Sequence, residues 1–254
     1  MSGRYGAAAH GGNPRWANCY LYIGSLLAGA LLLAIPATAL AGTEDTLMSV
    51  DFKTTSKSKK AGTKSKPRPA NLSIEMTQST ASGTGQPATS SGLNITLPKE
   101  FQFTGKRWPK KLRCDPLKAN QARSDGACPK GSKIGSGHVT ASAGNGDLIS
   151  EIDVRAYVTT GGDLGLWLST ATPLPINQML IGKVSHGRTI RVAIPSNIQQ
   201  PLVGVKSAIR VLRFTLDRGV ESTGCPASKQ WKLAFQNVYE QGSLTDSDTA
   251  ACRK

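Results

Sequence analysis

Apolar and polar residues alternate through most of the chain after residue 48. Leu72, Ile74 and Met76 share one side of such a run, and the residues between them are polar. A period of two predicts a β-strand with one buried face. About ten short strands are predicted. They lie at residues 48–52, 72–76, 93–97, 139–143, 152–158, 164–168, 176–184, 189–194, 207–216 and 231–235, and a last one runs towards Cys252.

The residues between these runs predict how the strands connect. Gly161-Gly162 and His186-Gly187 separate neighbouring strands and predict two hairpins. Within residues 207–216 the apolar face changes parity, which predicts a β-bulge. Many short strands without β-α-β alternation favour an all-β protein, and we expect an antiparallel β-sandwich with one short helix.

The predicted helix follows Asp115-Pro116. Aspartate caps free amide groups, and proline fits the first turn of a helix. LKANQAR then supports about two turns, and Gly126 is the predicted end. Cys114 and Cys128 bracket this helix, so a disulfide between them would hold it against the sheet. The following CPKGSKIGSG lacks the spacing of a phosphate-binding loop, so a turn into the next strand is predicted.

Residues 1–41 predict a signal peptide. The stretch has a basic start without acids, an apolar run from Tyr20 to Ile35, and small residues ending at Ala41. An uncleaved membrane anchor is the alternative. Cleavage would remove Cys19 and leave residues 42–254 as one secreted domain, with a basic loop at 53–69 and a Ser/Gly-rich loop at 78–92.

Export changes how the other four cysteines are interpreted. Cys114, Cys128, Cys225 and Cys252 would enter an oxidising compartment, where disulfides are expected. Four cysteines allow three pairings, of which Cys114–Cys128 with Cys225–Cys252 is favoured because its partners are close in sequence. A zinc site lacks both a CxxC spacing and a nearby histidine pair.

Positive charge is the main functional signal. The chain has a net charge of +15, and the leader contributes only Arg4 and Arg15. Residues 53–68 contain seven basic residues and no acid, and residues 99–133 contain ten against three acids. Such runs attract polyanions such as cell-wall or other extracellular polymers, and the alternative is a set of solvated loops. The predicted anion-binding residues are Lys57, Lys59, Lys60, Lys106, Arg107, Lys110, Lys111 and Arg113.

Nucleic-acid recognition and catalysis find little support. No aromatic residues interleave the basic loop to stack on bases, so specific nucleic-acid recognition is not expected. Ser185-His186-Gly187 partly resembles the signature of secreted L,D-transpeptidases, but Arg188 stands where their nucleophilic cysteine belongs. No catalytic motif, cofactor or metal site is predicted, and Asp246 with Asp248 is weak evidence for calcium. A secreted hydrolase or carbohydrate-active domain, with a pocket near Asp153 or Asp163, is the alternative function.

Two cysteine-containing segments carry a resemblance. FQFTGKRWPKKLRC followed by ACPKGSKIGSG, and Cys225-Pro226 through Trp231 to Cys252, resemble a group of secreted β-rich actinobacterial proteins over nearly the whole mature chain. KRWPKKLRC is longer and more basic than in that group. The resemblance implies one β-rich domain and the local disulfide pairing. The group has no known reaction, so the resemblance implies no site.

Overall fold

A computed structural model describes residues 45–54 and 60–253. The predicted leader therefore lies outside the described residues. The described part belongs to one compact unit and is dominated by strands. No helix in this part is long and apolar enough to cross a membrane. The strands are β1 (Thr46–Thr54), β2 (Arg68–Pro69), β3 (Leu72–Thr80), β4 (Ser90–Thr96), β5 (Phe101–Phe103), β6 (Lys133–Ala143), β7 (Leu148–Val158), β8 (Leu164–Thr170), β9 (Ile176–Ser185), β10 (Thr189–Ala193), β11 (Ser207–Leu216), β12 (Val220–Ser222), β13 (Gln230–Tyr239) and β14 (Gly242–Ala251), and the helices are α1 (Pro116–Ala122) and α2 (Ser196–Gln199).

Eleven strands form one antiparallel sheet in the order β1-β3-β11-β6-β7-β8-β9-β10-β4-β13-β14. The all-β class and the antiparallel pairing are confirmed, but the main sheet curls into a nearly closed barrel and does not form two clearly separate layers of a sandwich. β4 accounts for the difference, since it pairs with β10 on one side and β13 on the other. The backbone hydrogen bonds between strands therefore continue from β10 through β4 to β13. In a sandwich, the sheet would end there and a second, separate sheet would begin.

The barrel is closed by side chains where β1 meets β14. Asp246 Oδ2 accepts the Val50 amide at 2.8 Å, and Asp248 Oδ2 accepts the Phe52 amide at 2.7 Å. These two carboxylates, considered above for calcium, thus replace a backbone ladder along this seam. Further along, a gap of about 420 Å³ separates the strands, so the closure is incomplete.

A small sheet of order β2-β12-β5 covers one end of the barrel. Phe101 of β5 meets Trp231 of β13 edge-to-face, with ring centroids 4.8 Å apart. Both rings are buried, and the Trp231 indole donates to the Gly224 carbonyl at 3.0 Å. We call this the capped end of the barrel.

Both predicted disulfides are present, Cys114–Cys128 and Cys225–Cys252. The first brackets α1, whose Asp115 cap accepts two amides as predicted. The helix ends at Ala122 rather than near Gly126, because Arg123 adopts a left-handed conformation with φ +47°. Gly126 instead lies in a short turn, Asp125–Ala127.

The segment between these cysteines packs on the outside of the barrel. Asn120 bonds both backbone groups of Met179 on β9, and Asp125 accepts hydrogen bonds from Arg155 (2.7 Å) and Tyr157 of β7. Burial raises the pKa of the Asp125 carboxyl, but the bonds from Tyr157 and Arg155 outweigh it and hold that pKa below its usual 3.8. Polar bonds therefore hold this segment together with the disulfide.

We expect the substitution Asp125→Asn to lower the free energy of unfolding at pH 7 by about 2 kcal/mol, the range for hydrogen bonds to a charged group. Because folding lowers the pKa of Asp125, its contribution is complete above pH 3.8 and is lost as the pH falls through the folded value. The difference between variant and native protein should therefore shrink below pH 4 in urea unfolding curves. Asp217→Asn, at an exposed carboxylate, is the control; equal pH dependence of both variants would contradict the assignment.

Two loop predictions need correction. The Ser/Gly-rich loop spans residues 81–89 rather than 78–92, because β3 and β4 extend into it. It also buries part of its length, since Ala88 donates to Thr46 Oγ1 and Gln86 reaches the Lys206 carbonyl. The basic loop is shorter than 53–69, because β1 continues to Thr54 and β2 begins at Arg68. Residues 55–59 lie outside the described part.

The two hairpins and the bulge are confirmed. β7 pairs with β8, β9 pairs with β10, and the register of β11 against β6 shifts between Ile209 and Val211.

The pairing of β6 with β11 explains the two glycines in the IGSG sequence of β6. A side chain at Gly135 or Gly137 would place its Cβ 2.1 Å from the Thr215 carbonyl or 2.3 Å from the Arg213 carbonyl.

Candidate anion-binding site

Two short 3-10 turns, Gly105–Arg107 and Lys110–Leu112, follow β5 at the capped end. Arg113 organises this segment, because its guanidinium donates to the carbonyls of Trp108 (3.0 Å), Thr160 (3.2 Å) and Lys106 (2.7 Å). Its donors are therefore directed at the protein. We conclude that Arg113, predicted as an anion-binding residue, has a positioning role here.

Trp108 joins this segment to two other parts of the chain. Its indole donates to the Gly131 carbonyl at 3.2 Å, within the turn Lys130–Ser132. Arg218 lies over the indole ring, 5.9 Å from the centroid, and also donates to the Lys133 carbonyl. These contacts bring cations from three sequence regions to one place.

We refer to this group as the basic end. It consists of Lys106, Arg107, Lys110, Lys111, Lys130, Lys133 and Arg218, all of which are exposed. Arg107 forms an ion pair with Glu221 at 2.7 Å. Within the described residues, the other six cations form no ion pair. Opposite charge from a ligand would therefore meet mostly uncompensated cations.

A crevice of about 190 Å³ lies beside Lys106 and Arg107. Its other walls are Gln102, His186, Gly187 and neighbouring backbone, and no carboxylate lines it. His186 is held at the tip of the β9–β10 hairpin with φ +50°. Two cations and no carboxylate line the crevice, so its charge favours an anionic group such as phosphate, sulfate or carboxylate.

Only four of the eight predicted anion-binding residues belong to the basic end. Lys106, Arg107, Lys110 and Lys111 belong to the basic end, and Arg113 supports it. Lys60 is exposed, and its backbone forms an isolated parallel β-bridge with Arg253, while Lys57 and Lys59 lie outside the described residues. Sequence reasoning did not select Lys130, Lys133, Arg218 and His186. The first two fall within the noted basic run at 99–133, whereas only tertiary contacts could place Arg218 and His186.

The carboxylates of the hydrolase alternative have other partners. Asp163 accepts the Val184 amide at 3.0 Å and pairs with Lys183 at 3.0 Å. Asp153 is exposed on a strand and lies 3.6 Å from His138, which also bonds Glu151. The described residues contain no cluster of three or more metal-binding side chains. Neither aspartate lines the crevice beside the basic end.

Comparison with known proteins gives no assignment. No protein-family model and no curated protein matches the chain.

Proposed function

We propose that this protein is a secreted, non-catalytic binding protein of the cell envelope or extracellular space. It binds an anionic polymer through the basic end. The observation that carries the proposal is that the three segments bearing seven exposed cations meet at Trp108, with Glu221 as their one ion-pair partner among the described residues. The crevice beside Lys106 would hold one anionic group of the polymer.

Two further features support export and a rigid binding surface. Two disulfides are typical of proteins that fold in an oxidising compartment, in agreement with the leader predicted at residues 1–41. Arg113 and the Cys114–Cys128 disulfide fix the backbone that carries the basic end. A fixed surface loses less conformational entropy when a polymer binds.

We expect the double substitution Lys110→Gln/Lys111→Gln to weaken retention on a heparin or polyphosphate resin. Each phosphate contact contributes about 0.7–0.9 to the slope of log K against log salt concentration, so the elution salt should fall and the slope should decrease by about 1.5. The measurement is the binding constant at several salt concentrations. Retention that does not depend on salt, or no retention at all, would contradict the electrostatic proposal.

The control is Arg191→Gln/Lys206→Gln, which removes the same formal charge from residues that are not members of the basic end, although Lys206 pairs with Glu240 at 3.0 Å. Lys206 precedes β11, and β11 ends next to Asp217 and Arg218, so Lys206 is about 30 Å from Arg218. We expect this control to change the slope by less than about 0.5. Equal effects of the two double variants would show that net charge alone drives retention.

A further inference from the structure

A surface groove and an interior cavity meet at Ile198 of α2. The groove, of about 640 Å³, lies between the C-terminal end of α1 and α2, over the start of β9. The cavity, of about 80 Å³, lies inside the barrel. Ile198 lines both spaces and therefore lies between them.

The cavity is suited to hydrocarbon. Its lining is aliphatic or aromatic apart from Ser90 and Ser207. Cavities of this kind stay dry and take apolar ligands. The cavity can therefore take the end of a hydrocarbon chain.

Ile198 and five other apolar residues make up six of the eleven residues that line the groove, and one of the five polar residues is charged. The other five apolar residues are Leu174, Pro175, Ile176, Pro201 and Leu202. Leu202 is 49% exposed, and Val203 beside it is fully exposed.

Arg123 supplies the charge at the α1 end of the groove. The amides beside it are already engaged: Asn120 bonds Met179, and Asn197 donates to Gln178 at 3.0 Å. Arg123 forms no ion pair with any described residue and is exposed. A ligand head placed here would therefore meet one uncompensated positive charge.

We propose that the groove and cavity bind a single-chain amphiphile with an anionic head, such as a medium-chain carboxylate. The head lies at Arg123, the chain follows the apolar residues of the groove, and its end passes Ile198 into the cavity. Ile198 lies on α2, a single turn whose Ile198 carbonyl accepts a hydrogen bond from Ser207 Oγ at 2.6 Å. The neighbouring Asn197 and Gln199 side chains donate to Gln178 and to the Ile194 carbonyl, so the turn is held on both sides of Ile198. Rotation of the Ile198 side chain joins the two spaces without breaking a strand.

The test is calorimetric titration of the folded protein with decanoate, decyltrimethylammonium and butanoate below their aggregation concentrations. We expect decanoate to bind about tenfold more tightly than the cationic amphiphile, since one head attracts and the other repels Arg123. Butanoate should not bind measurably, because each lost methylene reduces affinity about fourfold. Failure of decanoate to bind, or equal binding of both decyl compounds, would overturn the proposal.

Variants separate the head site from the chain site. Arg123→Gln should weaken the binding of decanoate about fivefold and leave the affinity for decanol unchanged. Lys118→Gln, on the same helix, should change neither affinity. Ala208→Leu fills the cavity and should weaken decanoate and decanol by about tenfold. Lys110→Gln/Lys111→Gln should have no effect, which distinguishes this site from the basic end. An unchanged affinity in both Arg123→Gln and Ala208→Leu would overturn the assignment even if decanoate binds.

Discussion

Replacing Asp246 and Asp248 together by alanine is expected to lower the free energy of unfolding by about 3 kcal/mol. Each carboxylate accepts an amide of β1, and an amide that loses its charged acceptor in a partly buried place costs about 1–3 kcal/mol. Phe52, one of the two residues involved, is 2% exposed and belongs to the core. Loss of the seam should therefore loosen β1 as well as β14.

Chemical denaturation with hydrogen exchange measures both effects. The amides of Val50 and Phe52 should lose more protection than those of β7, which lies far from the seam in the strand order. The double change to asparagine keeps a carbonyl acceptor and should cost only about 1 kcal/mol. Thr245→Ala/Thr249→Ala, at exposed positions of the same strand, is the control. If the alanine pair lowered the free energy of unfolding no more than this control does, the two carboxylates would contribute nothing to stability.

Removing the Cys225–Cys252 disulfide by double alanine substitution is expected to cost about 3.5 kcal/mol. The bond closes a loop with a sequence separation of 27, and the cost of loop closure in the unfolded chain grows with loop length. It also ties β14 to the chain before β13, at the end of the barrel beside Trp231. Cys252 is 4% exposed, so its loss also leaves a small void.

The Cys114–Cys128 bond provides the comparison. Its separation of 14 predicts a smaller loss, about 3 kcal/mol. Its two cysteines pack with Trp167 and Met179 in a second cluster outside the barrel, whereas Cys252 belongs to the main core. The two losses should therefore add in a quadruple variant. A loss below 1 kcal/mol for either pair, measured by guanidinium unfolding, would contradict this account.

Most strands could be predicted from the sequence, because each has one face in the core. Trp231, Leu233 and Phe235 are buried, as their alternation indicates, and so are Leu72 and Ile74. Barrel closure could not be predicted in this way. Period-two alternation indicates which residues face inwards, but a sandwich and a curled sheet need the same pattern. The decisive pairings of β4 with β10 and β13 join residues far apart in sequence.

The candidate site was only partly predictable for the same reason. Lys106 to Lys111 are adjacent in sequence, so their charge is visible without a structure. Arg218 joins them through Trp108 and the Lys133 carbonyl, contacts that depend on β6 pairing with β11. Arg113 has the same charge as its neighbours, but its three carbonyl partners give it a different role. Charge along a sequence does not distinguish a cation that faces solvent from one that supports the backbone.

The most direct test of the central claim is a residue-resolved NMR titration of the protein with heparin at 0.15 M salt. Binding through the basic end predicts that amide shifts concentrate at residues 105–112, at 130–133, and at Arg218 and His186. The same shifts should be reduced in Lys110→Gln/Lys111→Gln and retained in Arg191→Gln/Lys206→Gln. Shifts spread over the whole surface, or centred on another face of the barrel, would contradict the claim.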